Sequence, residues 1–279
     1  MSFEKMKKGV VSLYKRVFEH DVMGMATQLS YFFLLSLFPL LIAIFSLLPF
    51  TPLESKDILH FLDDFAPKGT IGFIEQNIND IMSRHDINIL SVSVLGTLWA
   101  ASNGMNGIII AINRAYEVKD DRHFLIVRAL SIVMTIVMII VIIVALLLSV
   151  FGRHLGIVFF SHFGMKEEFL HMWETLRWVL SGLILLVVFS TIYVLTPNKK
   201  LKCVAILPGA IFSTLGWMIV SYGFSFYVNH FGRYSLMYGS IGVVIILMAW
   251  FYFTALILII GGEINAIKEA LSGCNEKPG

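Results

Sequence analysis

A chain of 279 residues in which 57% of the side chains are hydrophobic and only 14% are charged lies far below the roughly 25% charged fraction of soluble proteins, so lipid is its main solvent. The formal net charge of +2, from 21 basic and 19 acidic residues without a basic tract, argues against a nucleic-acid partner. Cys203 and Cys274 have no second cysteine or histidine at metal-ligand spacing, so free thiols and no metal or other cofactor are expected.

The first element is an amphipathic helix over residues 3 to 18. Phe3, Met6, Val10, Leu13, Tyr14, Val17 and Phe18 share one face, and Lys8, Lys15, Arg16 and Glu19 the other. It suits a helix lying in the membrane interface or one packed as a foot beneath the bundle. Six apolar stretches follow, each of roughly 20 residues, the length that crosses a bilayer core about 30 Å thick. They are placed at 29–49, 89–113, 126–150, 177–196, 204–228 and 239–267. The first is too long for a signal-peptide core and no small-x-small cleavage site follows it, so it is read as a retained span. The expected fold class is therefore all-α: a polytopic membrane bundle of six transmembrane helices with an N-terminal interfacial helix.

Residues 50–88 form the largest external segment. Apolar residues recur there at helical spacing on either side of Pro67-Lys68-Gly69, predicting two short helices as an external cap. A single membrane domain, 1–272, with a disordered tail, 273–279, is the expected organisation. Lys and Arg favour one side: Lys5, Lys7, Lys8, Lys15 and Arg16, then Arg114, Lys119, Arg122 and Arg128, then Lys199, Lys200 and Lys202, then Lys268 and Lys277. The positive-inside rule puts that side, and both termini, in the cytoplasm.

Polarity within the spans marks the candidate site. On the second span Trp99, Ser102, Asn106 and Asn113 fall within about 60° of one another at 100° per residue. Gly96, Ala100, Gly104, Gly107 and Ala111 gather opposite, a pattern that lets helices approach closely in lipid. Asn103 and Asn106 need partners, because an unsatisfied buried amide costs about 2 to 7 kcal/mol. Two readings stand open: interhelical hydrogen bonding, or a hydrated cavity forming a substrate path. Pro39 interrupts the first span, freeing the Leu35 carbonyl and predicting a kink that Ser36 helps to satisfy, with Gln28, Ser30 and Tyr31 before it near the inner end of such a cavity. Glu263, beside Gly261 and Gly262 and two residues before Asn265, is the one carboxylate placed within a span. Its candidate partners are Arg114 and Arg128. The third span, Ile/Val/Leu-rich from Ile132 to Val150, is expected to border lipid. Tyr227, Tyr234 and Tyr238 are expected at the outer interface, as anchors or as part of substrate recognition.

Enzyme motifs are absent: no H-E-x-x-H, no G-x-S-x-G, no P-loop and no G-x-G-x-x-G, with the eight histidines scattered. Four segments carry a resemblance instead. They are Gln28-Leu29-Ser30-Tyr31-Phe32-Phe33-Leu34-Leu35-Ser36-Leu37-Phe38-Pro39; Trp99-Ala100-Ala101-Ser102-Asn103-Gly104 with Asn113-Arg114-Ala115-Tyr116; Tyr193 with Pro197-Asn198; and Tyr238-Gly239 through Trp250-Phe251-Tyr252 to Gly262-Glu263-Ile264-Asn265-Ala266. Over about Ala26 to Ala266 the chain resembles the YihY/BrkB family of bacterial inner-membrane proteins, once labelled ribonuclease BN. That resemblance implies a six-span protein of the bacterial cytoplasmic membrane and brings no catalytic residues with it. The ribonuclease label finds no support in the sequence, which lacks an H-x-H-x-D-H metal cluster and a basic groove.

Buried polarity without enzyme motifs leads to the expectation of a transporter or exporter of an amphiphilic or lipid-related solute. The alternative is a non-catalytic membrane scaffold for envelope machinery. Its partners are then the lipid bilayer, together with envelope proteins or a second copy of the chain.

Overall fold

The computed structural model describes residues 3–47, 49, 86–141, 166–199, 206–231 and 234–271. Regular structure among them is helical: α1 (Phe3–Glu19), α2 (Val22–Leu47), α3 (Ile87–Ala115), α4 (Phe124–Val141), α5 (Lys166–Leu195), α6 (Leu207–Phe231) and α7 (Tyr234–Leu271). The last six are long and apolar enough to cross a membrane, so the chain is an all-α polytopic membrane bundle. Lipid offers no hydrogen-bond partner to the backbone, which is why even the β-branched run of α4 is helical. The expected cap up to residue 85, both cysteines, the tail and much of the external aromatic turn lie outside the described residues.

Helix ends follow local chemistry. Asp86 caps α3, its Oδ1 accepting from the Asn88 and Ile89 amides at 2.9 and 3.2 Å. Asp21 serves two helices at once. It adopts a left-handed conformation (φ 53°) that ends α1, and its Oδ1 lies 3.3 Å from the Gly24 amide at the start of α2. Aspartate tolerates this region better than most residues because its short polar side chain bonds locally. The helix α2 therefore begins at Val22, well before the expected boundary near 29. It runs unbroken through Pro39, and Ser36 Oγ donates to the Phe33 carbonyl at 2.8 Å rather than to that of Leu35.

The chain divides into two compact units, Met1–Tyr31 with Ser102–Gly279, and Phe32–Ala101. In the second, a Cβ added to Gly96 would meet Pro39 Cβ at 3.7 Å, so this part of α3 lies against α2 at the proline. In the first, α7 is the hub, packed against α6 and α1, while α6 packs in turn on α5. Trp217 and Trp250 meet edge to face at 5.9 Å, and Ile257 fills the space beside Gly216. On α4, Ser131, Met134 and Thr135 are buried while Val133, Ile136 and Ile140 are exposed, so one face meets protein and the other suits lipid.

The closest approach joins α6 to α7. A Cβ on Gly209 would collide with the Gly261 carbonyl, and one on Gly261 with Ser213 Oγ and the Tyr193 hydroxyl. Those polar atoms tie three helices together. The Tyr193 hydroxyl bonds both Ser213 Oγ and the Leu258 carbonyl at 2.7 Å, and Ser213 Oγ lies 3.2 Å from the Ile257 carbonyl. Gly209→Ala is expected to lower thermal stability in detergent by about 1 to 3 kcal/mol through overpacking. Gly223→Ala, where nothing lies within 4 Å of the added Cβ, should be neutral or stabilising by the intrinsic helix preference. Melting curves of the two purified variants test the pair.

Candidate functional site

Three consecutive residues of α7 reach four neighbouring helices, because each step turns about 100°. Gly261 faces Ser213 on α6 and Tyr193 on α5, and Gly262 faces α3, where an added Cβ would lie 2.6 Å from Ile112 Cδ1. Glu263 faces α1. Its side chain is 0% exposed, with Oε1 2.5 Å from His20 Nδ1 and Oε2 3.5 Å from Arg16 Nη1. The same arginine donates from Nη1 to the Ala115 carbonyl at 3.0 Å and pairs through Nη2 with Glu117 at 2.8 Å. His20 Nε2 lies 3.9 Å from Glu117 Oε1, so the imidazole stands between a buried carboxylate and one that is 63% exposed.

Backbone geometry sets these side chains. Asp21 turns the chain so that His20 closes α1 directly over Glu263. Glu117 is the counterpart at the end of α3. Its φ is 55°, its amide donates to the Arg114 carbonyl at 3.0 Å, and the Val118 amide donates to the Asn113 carbonyl at 3.0 Å, the paired bonds of a Schellman ending. A left-handed glutamate where glycine is favoured costs about 1 to 2 kcal/mol. In return its carboxylate meets both Arg16 and His20.

Beside this cluster lies an open groove of about 400 Å³, lined by His20, Ile110, Asn113, Arg114, Glu117, Val118, Lys119 and Asp120. Its wall is held by a polar clasp. Asn113 Nδ2 donates to Asp120 Oδ2 at 2.9 Å, and its Oδ1 accepts the Asn198 amide at 2.8 Å. Arg122 grips Asp120 through Nε and Nη2 at 2.7 and 2.6 Å and also reaches the Thr196 carbonyl at 3.2 Å. This guanidinium holds the Asp120 carboxyl below its ordinary range. Burial, with Glu269 close by, pushes the hydroxyl of neighbouring Tyr116 up.

Of the residues singled out from sequence, the structure gathers Asn113, Glu263 and Asn265 at this end of their unit. Asn265 Oδ1 accepts the otherwise orphaned Gly209 amide at 2.6 Å, capping α6 from α7, while its buried Nδ2 finds no partner among the described residues. Asn103 accepts from Arg128 Nη1 at 2.7 Å and thereby links α3 to α4, so Arg128 is not the partner of Glu263. Neither is Arg114, which is exposed at the groove. Ser30 is buried and returns its hydroxyl to the Thr27 carbonyl, Ser102 is buried and Asn106 half-buried. Gln28, Tyr31 and Trp99 are exposed. Ala100, Gly104 and Ala111 are buried, Gly107 half so.

Sequence patterning assigned Arg16 to the polar face of α1 and passed over His20, yet both point inward here. A usable signal existed: Arg16 and His20 stand four apart, on one helical face, and Glu263 required cationic partners.

Fold and site together define a polytopic helical membrane protein whose buried charges cluster where α1, α3 and α7 meet. The chain belongs to the family described as Virulence factor BrkB, whose signature matches residues 13–277. It is 45% identical over 255 residues to YfkH of Bacillus subtilis (strain 168), named as a ribonuclease-like protein, covering 91% of this chain and 93% of that one. It is 25% identical over 271 residues to the UPF0761 membrane protein PSHAa0171 of Pseudoalteromonas translucida, covering 95% and 87%. A UPF0761 membrane protein of Alteromonas mediterranea is 27% identical over 256 residues, covering 89% and 83%. No solved structure matches the chain.

The clasp has a defined pH response. A carboxyl held low when folded contributes stability above its ordinary value of about 3.9, and loses it as pH falls through the lower folded value. Protection of the amides of residues 118–123, corrected for intrinsic exchange rates, should therefore hold at neutral pH and be lost only in acid. Asp120→Asn should remove that acid dependence and cost about 1 kcal/mol.

Proposed function

We propose that this chain is a transporter or exporter of an amphiphilic or lipid-related solute in the bacterial cytoplasmic membrane, with both termini cytoplasmic and no catalysis of its own. The observation that carries this reading is a fully buried carboxylate on a membrane-length helix, Glu263, whose partner His20 lines an open groove. Ionisable residues at such positions are costly and usually mark a pathway. The groove suits an amphiphile: Ile110, 55% exposed, and Val118 offer apolar surface, and Arg114 and Lys119 stand at its edge. Asn103, Asn113 and Asn265 then serve to hold the helices that frame the path, through the bonds described above.

The scaffold reading draws on one other feature, the outward stripe of Val10, Tyr14 and Phe18 on α1, where Tyr14 is 69% exposed. A strain lacking the chain separates the two readings when the lipid and envelope-metabolite content of each membrane leaflet is compared with that of the complemented strain. For a transporter, a species accumulates on the cytoplasmic side. Wild type releases it, while Glu263→Gln, present in equal amount, loses most of the release. An unchanged profile with the protein gone would sink the transport assignment and favour the scaffold.

A further inference from the structure

We propose that His20, beside the charge of Glu117, relays one proton from the groove to the buried carboxylate of Glu263, and that this proton helps to seat α1 on α7. The relay is geometric. Glu117 is largely exposed, the two imidazole nitrogens of His20 face the two carboxylates at 3.9 and 2.5 Å, and Glu263 has no exposed surface. A proton taken from water at the groove adds to Nε2 while Nδ1–H donates to Glu263 Oε1. Passing the Nδ1 proton to Oε1 leaves a neutral imidazole and a neutral acid.

Charge explains why the site takes one. Arg16 supplies a single positive charge against the carboxylates of Glu117 and Glu263, so with neutral His20 the cluster carries one net negative charge. Because Arg16 is shared with exposed Glu117, the charge on fully buried Glu263 is left under-compensated and costly, and one added proton removes it. Surrounding groups do not supply it instead. Asp120 is held by Arg122, and Glu269 is paired with Lys199 at 3.0 Å. Tyr193 is engaged with Ser213 and Leu258. Arg114 and Lys119 lie exposed at the groove, where water and salt screen them.

Seating is coupled to the proton because the relay residues come from different elements. Arg16 and His20 belong to α1 and the turn after it, Glu117 to the turn ending α3, and Glu263 to α7. The inference does not depend on transport, since seating is read directly. Where transport operates, this proton is a candidate driving ion.

The test is hydrogen exchange, corrected for intrinsic rates, of the segment 9–20 in the full-length protein in nanodiscs between pH 6 and 8.5. Protection of wild type should fall as pH rises, by up to about tenfold per pH unit for one linked proton. Glu263→Gln should stay protected without pH dependence, because its cluster is neutral unaided. His20→Gln should be less protected throughout and equally flat. Glu117→Gln, at a largely exposed position where the amide oxygen can still accept from Arg16, should also lose the slope and guards against a misfolded interior variant. A flat wild-type profile, or the wild-type slope retained in folded Glu117→Gln and His20→Gln, overturns the relay. Leaflet analysis failing while the slope is present would reject transport alone.

Discussion

A carboxylate with no exposed surface on a membrane-length helix constrains everything around it. Glu263 requires positive charge and hydrogen-bond donors at close range, and the cost of leaving a buried charge unpaired is about 3 to 5 kcal/mol. Those partners, Arg16 and His20, belong to no spanning helix. They arrive from α1, so an amphipathic segment that composition alone would leave at the membrane surface is bound to the bundle. Its outward stripe of Val10, Tyr14 and Phe18 remains available to the lipid interface. The helix is thus both a foot for the bundle and a surface element, because its two faces answer to different neighbours.

Bringing α1 close enough requires α7 to stand at the centre of its unit, and the two glycines before Glu263 make that feasible. Dispersion and hydrogen bonding, rather than the hydrophobic effect, hold helices together in lipid, so backbone proximity matters more there than in water. Gly209 and Gly261 let α6 and α7 approach until only main chain separates them, and Gly262 admits Ile112 of α3. The same crossing allows Asn265 to cap α6 and Tyr193 to reach the Leu258 carbonyl. Small residues and polar bonds act together here: the first create the contact, the second give it direction.

Two non-glycine residues in left-handed conformation, Asp21 and Glu117, flank the charged cluster. Each ends a helix, and each places its neighbourhood where charges converge. Local strain of this kind persists where surrounding contacts over-determine it, and such positions concentrate at functional sites. The ionic bonds of Glu117 to Arg16, and the clasp of Asn113, Asp120 and Arg122 just beyond, supply those contacts.

Much of the architecture was legible in the chain. Span lengths follow from bilayer thickness, helicity from the lack of backbone partners in lipid, and the amphipathic start of the chain from its 3.6-residue period. The family was legible too, in its polar and aromatic segments. Glu263 could be singled out because a carboxylate in an apolar run is expensive wherever it points. Its partners could not, since pairing Glu263 with His20 depends on a contact across 243 positions, and the nearer-looking candidates, Arg114 and Arg128, turned out to face a groove and Asn103. The polar stripe of α3 illustrates the same division. Periodicity put Trp99, Ser102, Asn106 and Asn113 on one side of a helix, yet Trp99 is exposed while Asn113 is spent on a clasp between turns. A sequence by itself determines which residues must be satisfied, because solvation costs are properties of the side chains. Only the tertiary structure decides what satisfies them, because that depends on which helix ends are brought together.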